Sequence, residues 1–167
     1  MLPTTLLPIS LAALAGAVIG CAGSGQESPA AQTGRCEPVQ RFLTENFAMV
    51  AETEPDTVDD WRTQKKVPGC KVTAAGGTTI GMERQTALLY DQLRGAGWTR
   101  TPEPRDAPKE GALRMRLSET DCFFTPYSGI VIGAPGEMRV NAAYQHRSDE
   151  AHYNVLVQCM PAMEAVP

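Results

Sequence analysis

The chain has 167 residues, 43% apolar, 20% charged and 6% aromatic, with a formal net charge of -4. That composition holds one domain with a tail and excludes collagen-like and strongly charged disordered chains. An acidic balance without a Lys/Arg cluster also argues against nucleic acid as a partner, because a phosphate-binding face needs concentrated positive charge.

Residues 1–20 carry no charged side chain. Leu6 to Gly20 is an apolar run of 15 residues. That is the length of a signal-peptide apolar region and falls short of the roughly 20 residues of a membrane-spanning helix. Val18, Ile19 and Gly20 lead directly into Cys21. This pattern resembles the lipobox of bacterial lipoprotein precursors. The resemblance implies a signal peptide over 1–20, cleavage after Gly20, diacylglycerol on the Cys21 sulfur and usually a further acyl chain (palmitate) on the freed amine. It implies a lipid-anchored protein of the bacterial cell envelope. Ala22 after the cysteine implies the outer membrane if the host is Gram-negative. An ordinary secretory signal, cut after Ala17 or Gly20, is the plainer alternative. Each buried methylene contributes about 0.8 kcal/mol, so two or three chains on one cysteine give a long-lived attachment.

Residues 22–35 hold only small or polar side chains apart from Pro29 and Arg35. With nothing apolar to offset ordering, residues 21–35 read as the lipidated cysteine and a flexible linker. Its reach is about 20 Å. The two Trp, four Tyr and four Phe all lie between 36 and 161, which marks a single domain. Residues 162–167 read as a disordered tail.

Within the domain, 37–51 fits a helix, with Val39, Phe42, Leu43, Phe47 and Val50 recurring at near-helical spacing. Residues 53–68 are polar, contain Pro55 and Pro68, and read as a connection around Trp61. Residues 70–75 read as a strand ending at Gly76-Gly77. The clearest helix follows. Met82, Thr86, Leu89, Leu93 and Ala96 share one face, and Gly97 stands where a left-handed cap is wanted. Residues 102–111 form a loop. Residues 112–118 alternate, with Leu113, Met115 and Leu117 on one face and Arg114 and Arg116 on the other. Cys122 and Phe124 have the opposite parity, so a bulge or turn is expected near Glu119 to Asp121. Residues 138–144 read as a strand with Met138, Val140, Ala142 and Tyr144 inward. A polar loop joins it to a strand over 153–159, with Tyr153, Val155, Val157 and Cys159 inward. The expectation is an α+β fold: an antiparallel sheet of about four strands, one or two helices packed on one face, stapled by disulfides.

Cys21 aside, four cysteines remain: Cys36, Cys70, Cys122 and Cys159. An even number in an exported chain reads as two disulfides. Three connectivities exist, and Cys36–Cys70 with Cys122–Cys159 is preferred. No close CxxC pair supports a metal or redox site.

The chain has no G-x-S-x-G, H-E-x-x-H or Walker-type motif, and no cofactor is expected. His146 and His152 read as solvated loop residues. A metal site there would need Asp149 or Glu150 to close it. Gly76-Gly77-Thr78-Thr79 reads as a strand-to-helix turn. Arg114, Arg116 and Arg139 read as a small cationic stripe on an open sheet face. The run Gly129-Ile130-Val131-Ile132-Gly133 reads as a buried strand or packed loop, with an exposed partner patch as the functional alternative.

Two functions follow from these residues. The first is a membrane-anchored envelope lipoprotein with a small non-catalytic interaction or structural domain, tethered through Cys21 and meeting an envelope protein partner. The second is a small exported hydrolase or ligand-binding enzyme using carboxylates such as Glu119 and Asp121.

Overall fold

A computed structural model describes residues 27–60, 64–101 and 113–163. Cys21, the lipobox-like run before it, Trp61, the loop expected over 102–111 and residues 164–167 lie outside them. Among the described residues, six strands form one antiparallel sheet. They are β1 (Val50–Asp60), β2 (Lys65–Thr78), β3 (Thr99–Arg100), β4 (Leu113–Leu117), β5 (Thr120–Tyr127) and β6 (Ala151–Pro161). The sheet order is β1-β2-β6-β5-β4-β3. Helices α1 (Pro29–Gly34), α2 (Glu37–Phe47), α3 (Met82–Gly95) and α4 (Pro135–Ala143) complete the α+β architecture. None of the described helices is long and apolar enough to cross a membrane.

One sheet face carries the core. Cys70, Val72 and Ala74 of β2 lie beside Tyr153, Val155, Val157 and Cys159 of β6, Cys122 and Phe124 of β5, and Met115 of β4. Val39, Phe42 and Leu43 of α2 and Leu89 and Leu93 of α3 cover them. The alternation of β6 delivers its residues to this face because successive strand side chains point to opposite sides. The parity change between β4 and β5 is absorbed by a tight turn in which Ser118 has φ 52°.

Both ends of the helical layer are fixed by backbone chemistry. α3 ends with Gly97 at φ 91°. The Trp98 N–H donates to the Leu93 carbonyl (3.0 Å) and the Gly97 N–H to the Arg94 carbonyl (3.1 Å). This is a Schellman closure, sealed by the buried Leu93 and Trp98 side chains. α2 stops at Phe47, four residues before its expected end. Ala48 takes the left-handed conformation there, and Val50 already belongs to β1.

Two disulfides staple the core. Cys36 at the start of α2 bonds Cys70 of β2, with Cα atoms 6.1 Å apart. Cys122 of β5 bonds Cys159, its register partner on β6, with Cα atoms 4.1 Å apart.

Several expectations need correction. The sheet has six strands, not about four. The polar 53–68 stretch is not a connection: it holds most of β1 and the start of β2. β1 is an edge strand, and its proline and carboxylates suit an edge, where nothing further pairs. Residues 138–144 are not a strand. Pro135 opens α4 at its first turn, and the buried residues Gly136, Glu137 and Val140 follow helical spacing. Helices also lie on both sheet faces, because α4 packs over the face opposite the core through Asn141–Asn154 and Arg139–Glu52 contacts. The linker is not featureless to residue 35. Ser28 caps α1, its hydroxyl accepting from the Ala31 N–H. Nor is residue 162 frayed: the Ala162 N–H donates to the Glu119 carbonyl at 2.8 Å.

Candidate functional site

The β5–α4 connection is the most unusual surface of the described chain. Ile130, Val131 and Ile132 are 53%, 70% and 48% exposed. Met138, on the first turn and a half of α4, is 50% exposed. Gly129 and Gly133 bracket the tripeptide at φ 75° and 71°. Both glycines are required by the backbone, because an L side chain is strained in that region. The expectation of a buried strand or packed loop here is therefore overturned: the aliphatic run faces solvent.

Burying these side chains would stabilise the fold, so their exposure needs a cause. The cause is Glu137, whose side chain is fully buried. One carboxylate oxygen accepts the Val131 N–H at 2.9 Å and the other accepts the Gly133 N–H at 2.5 Å. The Ile132 N–H adds to them. Burial pushes the Glu137 carboxyl up, but these N–H donors outweigh it and hold it below its ordinary value. The group is thus an ionised post at the foot of the loop, each carboxylate oxygen taken up by a backbone donor. Burial, and then the neighbouring Glu137, push the Tyr127 phenol up.

Asn154 of β6 anchors the other side. Its side-chain amide donates to the Gly129 carbonyl (2.8 Å) and to the Asn141 side-chain oxygen (3.0 Å). Asn141 in turn donates to the Glu137 carbonyl at 2.8 Å. Loop, helix and sheet are closed into one polar network beneath an apolar tip. Hydrogen bonds to a charged group contribute about 1.5–3 kcal/mol each, enough to hold a short loop in one shape.

The other residues singled out from sequence have different fates. Glu119 and Asp121 do not converge. Asp121 is buried and accepts from Arg116 Nε (2.6 Å), Arg116 Nη2 (2.9 Å) and the Met163 N–H (3.2 Å). Glu119 is exposed in the β4–β5 turn and lines a shallow groove of about 600 Å³ that Asp121 does not reach. The pair offers no acid and base facing one space.

The cationic stripe is also absent. Arg114 is buried against Asp60 (3.5 Å), Arg116 is taken by Asp121, and Arg139 sits on α4 bound to Glu52 and Glu54. Gly76, Gly77 and Thr78 are strand residues of β2, not a turn, and the turn proper begins when the Thr78 hydroxyl accepts the Ile80 N–H.

His152 is exposed as expected but stands on β6 and not in a loop, and His146 is half-buried. Their rings are in contact, tilted by 50° with centroids 3.7 Å apart, and His146 also meets Tyr144 edge-on at 4.6 Å. Among the described residues, the sulfurs of Cys36, Cys70 and Cys159 form the single group of three or more His, Cys, Asp or Glu side chains with ligand atoms clustered within 4.8 Å. Both disulfides draw on those sulfurs, so they offer no thiolate to a metal.

Sequence reasoning missed Glu137 and Asn154. A Glu two residues after Pro135 is a helix-start signal, and it would have located α4 and its first-turn carboxylate. Nothing local marks Asn154, because its partners come from two other elements. A scan against protein-family models and searches of curated proteins and of solved structures returned no match for this chain.

Proposed function

We propose that this protein is a non-catalytic interaction module that binds a protein partner through the Ile130-Val131-Ile132 loop. One observation carries the reading: three exposed aliphatic side chains stand on a backbone tied to a fully buried carboxylate. Exposed apolar clusters mark interaction sites. A loop already held in its bound shape loses little freedom on docking, so its apolar area is available for affinity. A bilayer has no use for a fixed shape, and membrane-surface segments rely on Trp, Tyr and basic residues. None of these stands between Gly129 and Gly133. A protein with an apolar pocket is the fitting partner.

The proposed address is the bacterial envelope, with the domain tethered by acyl chains on Cys21, at the outer membrane if the host is Gram-negative. The lipobox-like run and the two disulfides support it, since structural disulfides belong to exported proteins. The mass of the N-terminal peptide from membrane-extracted protein tests this part. A diacylated or triacylated Cys21 is expected, and an unmodified N-terminus elsewhere removes the anchor.

The loop itself is tested by placing a photocrosslinking residue at Val131 in intact cells, with Leu88 of α3 as the exposed control. A discrete protein adduct is expected from position 131 only. It should vanish when Ile130→Ser and Ile132→Ser are added. No adduct from 131, or equal adducts from both positions, sinks the reading.

A further inference from the structure

The chain between α4 and β6 lies flat on the sheet. His152 of β6 pairs with Gly77 of β2. A side chain at Gly77 would meet the Glu150 carboxylate at 2.6 Å and the Tyr144 hydroxyl at 3.0 Å. Glycine is therefore the floor on which Tyr144 and Glu150 rest. Above it, His146 is held between Tyr144 and His152. Both ring nitrogens of His146 are buried without a hydrogen-bond partner. Buried polar atoms left unpaired are uncommon and call for a reason.

The surrounding charges are already committed. Glu150 accepts from the Arg147 guanidinium (2.8 Å), the Arg147 N–H (3.3 Å) and the Tyr144 hydroxyl (3.3 Å). Asp149 pairs with Arg147 at 3.4 Å. On the sheet side, β2 brings Gly76, Gly77 and Thr78, which carry no titratable group. None of these groups has an oxygen placed against the His146 ring nitrogens. A ring contact this close is opposed by a positive charge placed on both imidazoles.

We propose that the His146–His152 ring contact is a proton-operated latch whose opening at acid pH releases the Ile130-Val131-Ile132 loop. The path is short. His152 and Asn154 share one face of β6, and Asn154 holds both the Gly129 carbonyl and Asn141 of α4. Tyr144, the cap residue of α4, meets the other side of the His146 ring edge-on. Separating the rings frees the C-terminal end of α4 and the β6 residue beside the loop's anchor. Burial and then the neighbouring His152 push the His146 imidazole below the ordinary histidine value, with Glu150 opposing. The latch stands on its own geometry; only its consequence for partner binding rests on the interaction-module reading.

The test uses the full-length protein in detergent with EDTA, followed by imidazole NMR and amide hydrogen exchange from pH 7.5 to 5. His146 is expected to titrate below the ordinary value of about 6.5. After correction for intrinsic rates, exchange at 144–152 and at 129–133 should accelerate about tenfold or more at pH 5. His152→Phe keeps a ring against His146 and removes one proton site, so it should blunt both responses. His146→Phe is the second variant if the first disturbs folding. A His146 midpoint at or above 6.5, or an undiminished acid response in both variants, overturns the latch. So does opening by EDTA alone at pH 7.5 that Zn²⁺ reverses, which would make the pair a metal site. Faster exchange at 144–152 with 129–133 unmoved also overturns it, and the Val131 crosslink then still decides partner binding independently.

Discussion

Cys70 and Cys159 face each other across β2 and β6, yet each is bonded away from the other. Cys70 reaches to Cys36 at the start of α2, and Cys159 reaches to Cys122 on β5. The four cysteines therefore run as a row from the helical layer across three adjacent strands. One bond joins helix to sheet and the other joins two strands that already pair. The sequence separations are 34 and 37 residues.

Those separations make the two bonds nearly equal in the chain-entropy account, at about 3–4 kcal/mol each. Cys36→Ser with Cys70→Ser, and Cys122→Ser with Cys159→Ser, should each lower the unfolding free energy by about that amount. Urea unfolding of the two pair variants against the oxidised parent checks this. Loss below about 1 kcal/mol in either would show that the denatured chain is already constrained there.

The end of α2 offers the opposite sign. Ala48 sits at φ 49° and ψ 31°, a region that costs a β-carbon. Ala48→Gly should raise stability by roughly 0.5–1 kcal/mol, because the relieved strain exceeds the extra freedom of the unfolded chain. A rise in the thermal midpoint of roughly 2–5 °C is the expected result.

Glu137 ties stability to pH. Its folded carboxyl is held below the unfolded value of 4.5. Its contribution is then fully present above 4.5 and is lost as pH falls through the lower folded value. Glu137→Gln keeps the shape but replaces one acceptor oxygen with a donor, leaving the Val131 or Gly133 N–H unmatched. It should cost about 2–3 kcal/mol at pH 7. It should also flatten the stability profile between pH 5 and 3. Denaturant melts across that range decide, and a parallel profile in the variant would separate Glu137 from the effect.

Much of this architecture is legible in the residues, and the exceptions have physical causes. Tyr153, Val155, Val157 and Cys159 announce β6 because one face of that strand is wholly buried. Leu89 and Leu93 announce α3 for the same reason. β1 does not announce itself, since its stabilising partners lie far away in sequence. Lys71 pairs with Glu54, Gln158 donates to Asp56, and Arg139 binds Glu52. α4 is ambiguous because nine residues with few buried positions fit either period. The apolar loop stands out as a run, but its composition points inward. Only the Glu137 and Asn154 contacts, drawn from other elements, turn it outward.

Two glycines of β2 separate backbone from side-chain crowding. A β-carbon at Gly69 would lie 2.1 Å from the Cys159 carbonyl oxygen, which belongs to the neighbouring strand and cannot yield without breaking the ladder. A β-carbon at Gly77 would meet the Glu150 carboxylate, the far end of a flexible side chain. Gly69→Ala should therefore be severe, at about 3 kcal/mol or more, or should prevent folding. Gly77→Ala should cost about 1 kcal/mol globally. Its main effect should be local, lifting Tyr144 and Glu150 from the sheet and speeding amide exchange at 144–152 while the core amides of β6 stay protected. Equal global losses in the two variants would mean that the Tyr144–Glu150 segment is part of the cooperative core and not a separable layer on it.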